Sequence, residues 1–365
     1  MNDADPTSAW SAAARFRQNK AAFFALSALI AIAAISAFGP LVDPASYDRA
    51  YPIYVHAAPS LAAHPSEAEA REAMARVASQ VHADLAAVQL NADGARATLT
   101  GLGPFQDRLD AVFQRSGAFR RPVNVERSDD GRTVTVDAQF ERVWLPAGAD
   151  ANGRDLLARM MIAARISLLV GLLGCAVAAS IGVAWGAVAG YAGGRVDAAM
   201  MRAVDVLYAL PFLFFVILLV VVFGRRFVLI FVAIGAIEWL DMARIVRGQT
   251  LSLKNQEFVV AARALGLPPA SILIRHIVPN LAGPVTASLA FIAPRVILLE
   301  SFLSFLGLGV QEPLTSLGVL VSEGARSLES APWMLIFPAT LLSLILLGFN
   351  FVAEGLSDAV DPRPQ

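Results

Sequence analysis

Between residues 331 and 353 the sequence carries no charged residue at all, a run longer than the roughly 20 residues a helix needs to cross about 30 Å of hydrocarbon. Such a segment has few possible fates. In lipid its backbone must satisfy its own hydrogen bonds, and a helix does so within one segment. Five more runs read the same way: 21–41, 166–191, 206–223, 227–243 and 281–306. Pro211 interrupts the third, Glu238 and Asp241 lie near the end of the fourth, and Arg295 and Glu300 fall inside the fifth. Composition agrees, with 56% hydrophobic and only 16% charged residues, against about 25% charged in a soluble domain.

The net charge of −1 gives no footprint for nucleic acid. One cysteine, Cys175, excludes an intramolecular disulfide and a cysteine-based metal site. The uncharged run after Arg15, Arg17 and Lys20 exceeds a secretory core of 7–15 residues, so it is expected to stay as a signal-anchor helix. Orientation follows the Lys and Arg of short loops. With both termini in the cytoplasm, Arg15, Arg17, Lys20, Arg244, Arg247, Lys254, Arg263 and Arg275 among others fall inside, and only Arg225, Arg226 and Arg326 outside.

Residues 43–153 read as a soluble stretch on the outer face. Helical spacing covers 66–85, "NADG" (91–94) joins two strand-like runs, a second helix covers 104–116, and "SDDG" (128–131) joins another pair. The order is helix, hairpin, helix, hairpin, with a possible weak internal repeat. His56, His64 and His82 have no metal-ligand spacing.

The segment "EFVVAARALGLPPASILIRHIVPN" (257–280) is too polar to cross a bilayer and too apolar for a plain loop. Asn255 can cap a helix in which Glu257 suits the positive end of the dipole. Phe258, Ala261, Ala262 and Leu265 share a face, Gly266 permits a left-handed end, and Pro269 can start a second helix that should stop before Pro279. This bent pair, with Arg263, Arg275 and His276 on it, is expected to receive a docking partner. The bland alternative is a pair of amphipathic helices lying on the lipid surface.

"AARALG" followed by "RHIVPN" resembles the EAA-loop signature of bacterial ABC-importer permeases of the dipeptide/oligopeptide/nickel branch. Val260 stands where that signature has Glu. "GRDLLARMMIAARISLLVG" (153–171), "GGRVDAAMMRAVDVLYALP" (193–211) and "ESFLSFLGLGVQEPLTSLG" (300–318) are similar to stretches of the peptide-permease C subunit, in the same order. The resemblance covers the first helix and about 153–362, and says nothing of the outer stretch. It implies an all-α polytopic membrane protein of six transmembrane helices, type I permease-like, to which the helix and hairpin pattern of 43–153 adds an inserted extracytoplasmic α+β domain. The divisions are 1–42 (tail and first helix), 43–153 (insertion) and 154–365 (permease core with cytoplasmic coupling loop 244–280).

The resemblance further implies residence in the bacterial cytoplasmic (inner) membrane. Glu257, Phe258, Ala261, Ala262, Arg263, Leu265, Gly266, His276 and Pro279 would then contact an ATPase. Partners would be a second permease, two ATPase subunits or domains, an extracytoplasmic substrate-binding protein and the bilayer. No phosphate-binding G-x-x-x-x-G-K-[ST] exists, so ATP and Mg would belong to the partners, and the chain is expected to hold no cofactor or catalytic residue. Arg295 and Glu300 are candidates for the translocation path because charges inside spans are costly. For Glu300, a hydrogen bond to Ser301 or Ser304 competes with that role. The rivals are an ion-coupled secondary transporter, which would show paired acids on broken midplane helices, and a membrane-anchored enzyme or sensor working through its outer domain.

Overall fold

The computed structural model describes residues 9–42, 47–91, 93–101, 109–128, 133–224, 227–312 and 314–360. Ala92, Pro104, residues 129–131, Arg225, Arg226 and Arg363, on which parts of the turn, helix-start and orientation readings fall, lie outside the described residues. In chain order the elements are α1 (Ala9–Gln18), α2 (Lys20–Val42), β1 (Ala63–His64), α3 (Glu67–Gln80), β2 (Ala83–Asn91), β3 (Gly94–Gly101), α4 (Leu109–Ser116), β4 (Phe119–Arg127), β5 (Thr133–Phe140), β6 (Val143–Trp144), α5 (Leu156–Ala192), α6 (Gly194–Tyr208), α7 (Phe212–Phe223), α8 (Phe227–Leu253), α9 (Glu257–Ala264), α10 (Pro269–Ile272), α11 (Val278–Asn280), α12 (Ala282–Phe305), α13 (Leu317–Arg326) and α14 (Trp333–Val360). They fall into two compact units. The first holds Met1–Gly39, Met161–Ser322 and Pro338–Gln365, and the second Pro40–Met160 and Glu323–Phe337.

The first unit is helical. Among the described residues, four helical stretches are long and apolar enough to cross a membrane: Lys20–Gly39, Leu156–Ala192, Ala282–Phe305 and Trp333–Ala359. The other two candidate runs differ from a simple span. The run 206–223 is broken, because α6 ends at Tyr208 and α7 starts at Phe212 behind an extended Pro211. A proline disfavours helix in the residue before it, and the 12 residues of α7 rise only about 18 Å. Helix α8 has 27 residues, enough to cross, but it runs on past Ala243 through Arg244 and Arg247 to Leu253.

Glycine sets how closely these helices approach. Gly182, Gly186 and Gly190 recur every four residues along α5, and a methyl on each would strike Met242, the Ala243 carbonyl or Thr250 of α8. Gly171 and Gly174 meet Ile297 and Val296 of α12 in the same way. Small residues let backbones come together where no water drives association. Val170, Ala178, Met242, Val246, Ile292 and Val296 fill the core around these contacts.

The second unit carries the described strands. Its main sheet is antiparallel in the order β2-β3-β5-β4. Period-2 alternation turns Ala95, Ala97 and Leu99 of β3 inward against their partners Ala138, Val136 and Val134 of β5. Met74 and Val77 of α3 and Phe113 of α4 cover that face. The element order helix–strand–strand occurs twice, and the two inner strands pair with each other. Helix α3 starts in a capping box, with Ser66 and Glu69 satisfying each other's backbone N–H groups.

Glu323 and Trp333 also belong to this unit. Arg159 Nη1 donates to Asp150 Oδ2 at 2.6 Å and to Glu323 Oε2 at 2.5 Å, and Arg154 Nε donates to the same Asp150 oxygen at 2.8 Å. All but Glu323 are buried.

Candidate coupling surface

The segment 257–280 forms two short helices around a sharp corner. Gln256, not Asn255, occupies the N-cap position of α9, and no side chain caps it. Asn255 instead donates from Nδ2 back to the Leu251 carbonyl, closing the end of α8. Glu257 lies in the first turn of α9. At the other end Gly266 has φ +79°, its N–H donates to the Arg263 carbonyl, and Leu267 N–H donates to Ala262. This pair of bonds is a Schellman end, which needs the left-handed residue that glycine supplies without strain. Pro268 is extended and Pro269 opens α10.

The second helix does not stop at Pro279. A π-helical turn, Leu273–Ile277, joins α10 to α11, and Leu281 N–H then donates to Ile277 on the way into α12. The wider turn moves the chain away from the clash between a proline ring and the carbonyl four residues back. Asn280 Nδ2 takes up the His276 carbonyl at 2.6 Å.

The faces of α9 are divided differently from the simple helical reading. Val259 and Ala262 are buried in the core of the unit, 0% and 5% exposed, with Ile272 and Ile277. Ala262, expected on the outward face, therefore packs within its own chain. Phe258, Val260 and Leu265 point outward, 40%, 52% and 81% exposed, beside exposed Ala261, Arg263 and Gly266. Ile274, Arg275 and Pro279 are exposed on the second helix, and His276 is half-buried.

Ion pairs from distant parts of the chain hold the ground beneath this surface. Arg247 grips Asp197 of α6 with two bonds, 2.6 and 2.7 Å, and its guanidinium holds the Asp197 carboxyl below the usual carboxylate range despite burial. Arg244 pairs with Asp205 at 3.0 Å and lies 4.3 Å from the centre of the Tyr208 ring. Lys254 Nζ donates to the Gly190 carbonyl at the end of α5. Arg263 lies 6.0 Å from the centre of the Tyr191 ring. Closeness in sequence would group Glu238, Asp241, Arg244 and Arg247 into a local cluster, but both arginines reach across to Asp205 and Asp197 of α6.

The two path candidates separate. Glu300 is fully buried, accepting from Ser304 Oγ at 2.6 Å and from Ser167 Oγ at 3.4 Å. Ser316 Oγ and the Leu317 N–H extend this network. Arg295 is exposed and reaches Asp241 of α8 at 3.4 Å. In the second unit His64 Nδ1 pairs with Glu69 at 2.9 Å, and no group of described residues has the makings of a metal site.

Residues 182–365, half of the chain, match the family model of the binding-protein-dependent transport system inner membrane component. The chain belongs to this family. Residues 8–59 of the permease match the N-terminal transmembrane domain of oligopeptide transport permease C, and residues 60–181 fall outside both matched ranges. The permease is 56% identical over 216 residues to the oligopeptide transport system permease protein OppC of Haemophilus influenzae, covering 59% of this chain and 70% of that one. The OppC of Escherichia coli K12 is equally similar, with 72% of its length covered. The dipeptide transport system permease protein DppC of Lactococcus lactis is 37% identical over 248 residues, or 68% of this chain and 71% of its own. The permease is thus an integral inner-membrane subunit of an ABC importer, which works in a complex with other subunits. This membership sets aside the reading as an ion-coupled secondary transporter.

Proposed function

We propose that the permease forms half of a pathway for peptides, coupled to ATP hydrolysis through the outward face of α9. The names of its relatives, which carry oligopeptides and dipeptides, support the cargo. The observation that carries the coupling role is an apolar face, Phe258, Val260 and Leu265, held on a corner whose inner side is locked into the core. Exposed apolar groups rimmed by Glu257 and Arg263 mark a protein contact. In this reading six segments cross the membrane, with α7 and α8 completing the four long apolar helices. Both termini and the loop 244–280 are cytoplasmic, and residues 43–153 form an extracytoplasmic insertion.

A second permease, two ATPase subunits and an extracytoplasmic binding protein complete the transporter. ATP and Mg act on the ATPases, and this chain has no catalytic role. Closure of the ATPases shifts the loop, which biases the pathway between inward- and outward-facing states. The deciding experiment is binding-protein-stimulated ATPase activity in proteoliposomes. Leu265→Asp or Phe258→Asp should abolish stimulation while the subunits still assemble. Wild-type stimulation in both variants rejects the coupling surface. For orientation, a cysteine at Ser252, with Cys175 replaced, should resist an impermeant thiol reagent in intact cells, and one at Ser128 should react.

A further inference from the structure

Three charged side chains in the first unit belong neither to the coupling surface nor to the Glu300 network. Glu238 and Asp241 lie one turn apart on α8, and Arg295 lies midway along α12, which packs on α8. Arg295 Nη1 reaches Asp241 Oδ2 at 3.4 Å, long beside the 2.7–2.9 Å or so of a tight charge-assisted bond. Glu238 is only 5% exposed, and its Oε2 has no hydrogen-bond partner among the described residues. The Arg295 side chain, by contrast, is 61% exposed, and that of Asp241 31%.

Charges midway along membrane helices do not face hydrocarbon, because the cost is several kcal/mol for each. The accessible Arg295 and Asp241 therefore face water or protein supplied from outside this chain. Beside Arg295, Pro294 has no N–H to give the Ala290 carbonyl four residues back, so the hydrogen-bond ladder of α12 is interrupted at the same level while the helix itself runs on. Such interruptions are tolerated where a helix borders a polar cavity or a neighbouring protein.

We propose that Glu238, Asp241 and Arg295 form a binding step in the pathway that takes the terminal ammonium of a peptide. The inference rests on the peptide-import reading above. Two carboxyl groups stand with one guanidinium, so the site offers more acceptor oxygens than the guanidinium takes up and suits a cationic donor. A primary ammonium has three N–H donors. It can bond to Asp241, whose present pair with Arg295 is loose enough to exchange, and to the unpartnered oxygen of Glu238 as the pathway opens. Peptides whose amino terminus is acylated have no charge to offer there.

The test uses the full transporter, with its binding protein, in proteoliposomes. Uptake of trialanine is compared with uptake of N-acetyl-trialanine. Any preference imposed by the binding protein is common to all permease variants, so a change in the uptake ratio reports on the permease. Asp241→Asn and Glu238→Gln should each lower the ratio of free to acetylated peptide by about tenfold, the size of one lost charged hydrogen bond. Asp241→Glu should restore much of the ratio. An unchanged ratio, or equal loss for both peptides, overturns the site while leaving peptide import standing. Failure of the second permease to co-purify with the Asp241→Asn protein also overturns it and assigns this face to the subunit interface. A wild-type transporter that takes up neither peptide overturns both readings.

Discussion

The two units of this permease solve the burial problem in opposite ways. In the second unit apolar residues alternate inward along β3 and β5, and the other face of the sheet carries Arg96 paired with Asp137 and Thr98 opposite Thr135. That sheet meets water with polar groups and keeps the apolar groups of β3 and β5 inside. In the first unit Phe24, Phe38, Leu172 and Val221 lie exposed along helices, while Glu300, Glu238 and Ser167 are buried. The inversion follows from the solvent. Lipid tails are as apolar as leucine, so the unit packs through glycine contacts and hydrogen bonds and turns leucine outward. The lesson for the coupling surface is that an exposed apolar face acquires meaning from its surroundings. On α12 or α14 it faces lipid or another subunit, whereas on α9, amid charged loop residues, it marks a protein partner.

The contrast can be broken most severely in the second unit. Arg159→Ala leaves Asp150 and Glu323 without their shared guanidinium. Removing one partner of a buried ion network costs about 3–5 kcal/mol, so the purified protein should unfold at much lower denaturant, or fail to accumulate. Near-wild-type stability would show that the network contributes little. In the first unit the sensitive points are backbone contacts. Gly186→Leu drives a side chain into the Ala243 carbonyl and should cost about 1–3 kcal/mol or more by overpacking. Gly248→Leu, where nothing lies within 4 Å, should change little. Thermal stability in detergent compares the two, and equal effects would contradict close packing of α5 on α8.

Leu265→Asp should alter stability by no more than about 0.5 kcal/mol, as expected of an exposed position, while removing ATPase stimulation. A large loss of stability would mean that this face is covered within the chain. A local effect, confined to one helix end, is expected from Glu69→Gln. Burial pushes the Glu69 carboxyl up, but the Ser66 N–H and His64 together hold it below the usual carboxylate range. Its contribution is therefore present above the ordinary glutamate pKa and is lost as pH falls through the lowered folded value. The variant should lose about 1 kcal/mol of helix stability at neutral pH, seen as faster amide exchange across Glu67–Gln80. It should also lose the dependence on acid pH over that window.

The sequence by itself determined what is settled within a few residues of backbone. The spacing of apolar positions placed the long helices and the strands, Gly266 fixed the end of α9, and Pro269 the start of α10. The small residues of α5 lie at close helix contacts, and only the fold supplies their partners, α8 and α12. Local rules failed where a neighbouring element decided. Helix periodicity put Ala262 with Phe258 and Leu265, but the packing of α9 on its own core turned Ala262 inward. Proline was expected to end a helix at Pro279, and a π turn that no local preference signalled carried it through. Partners of charges were the least legible. Arg247 finds Asp197 at 50 residues' separation, Arg295 finds Asp241 at 54, and Arg159 finds Glu323 at 164. Backbone geometry is set by sterics between chain neighbours, so it can be read locally. A charge pairs with whatever carboxylate the packing of helices brings within about 4 Å, and only the tertiary structure decides that.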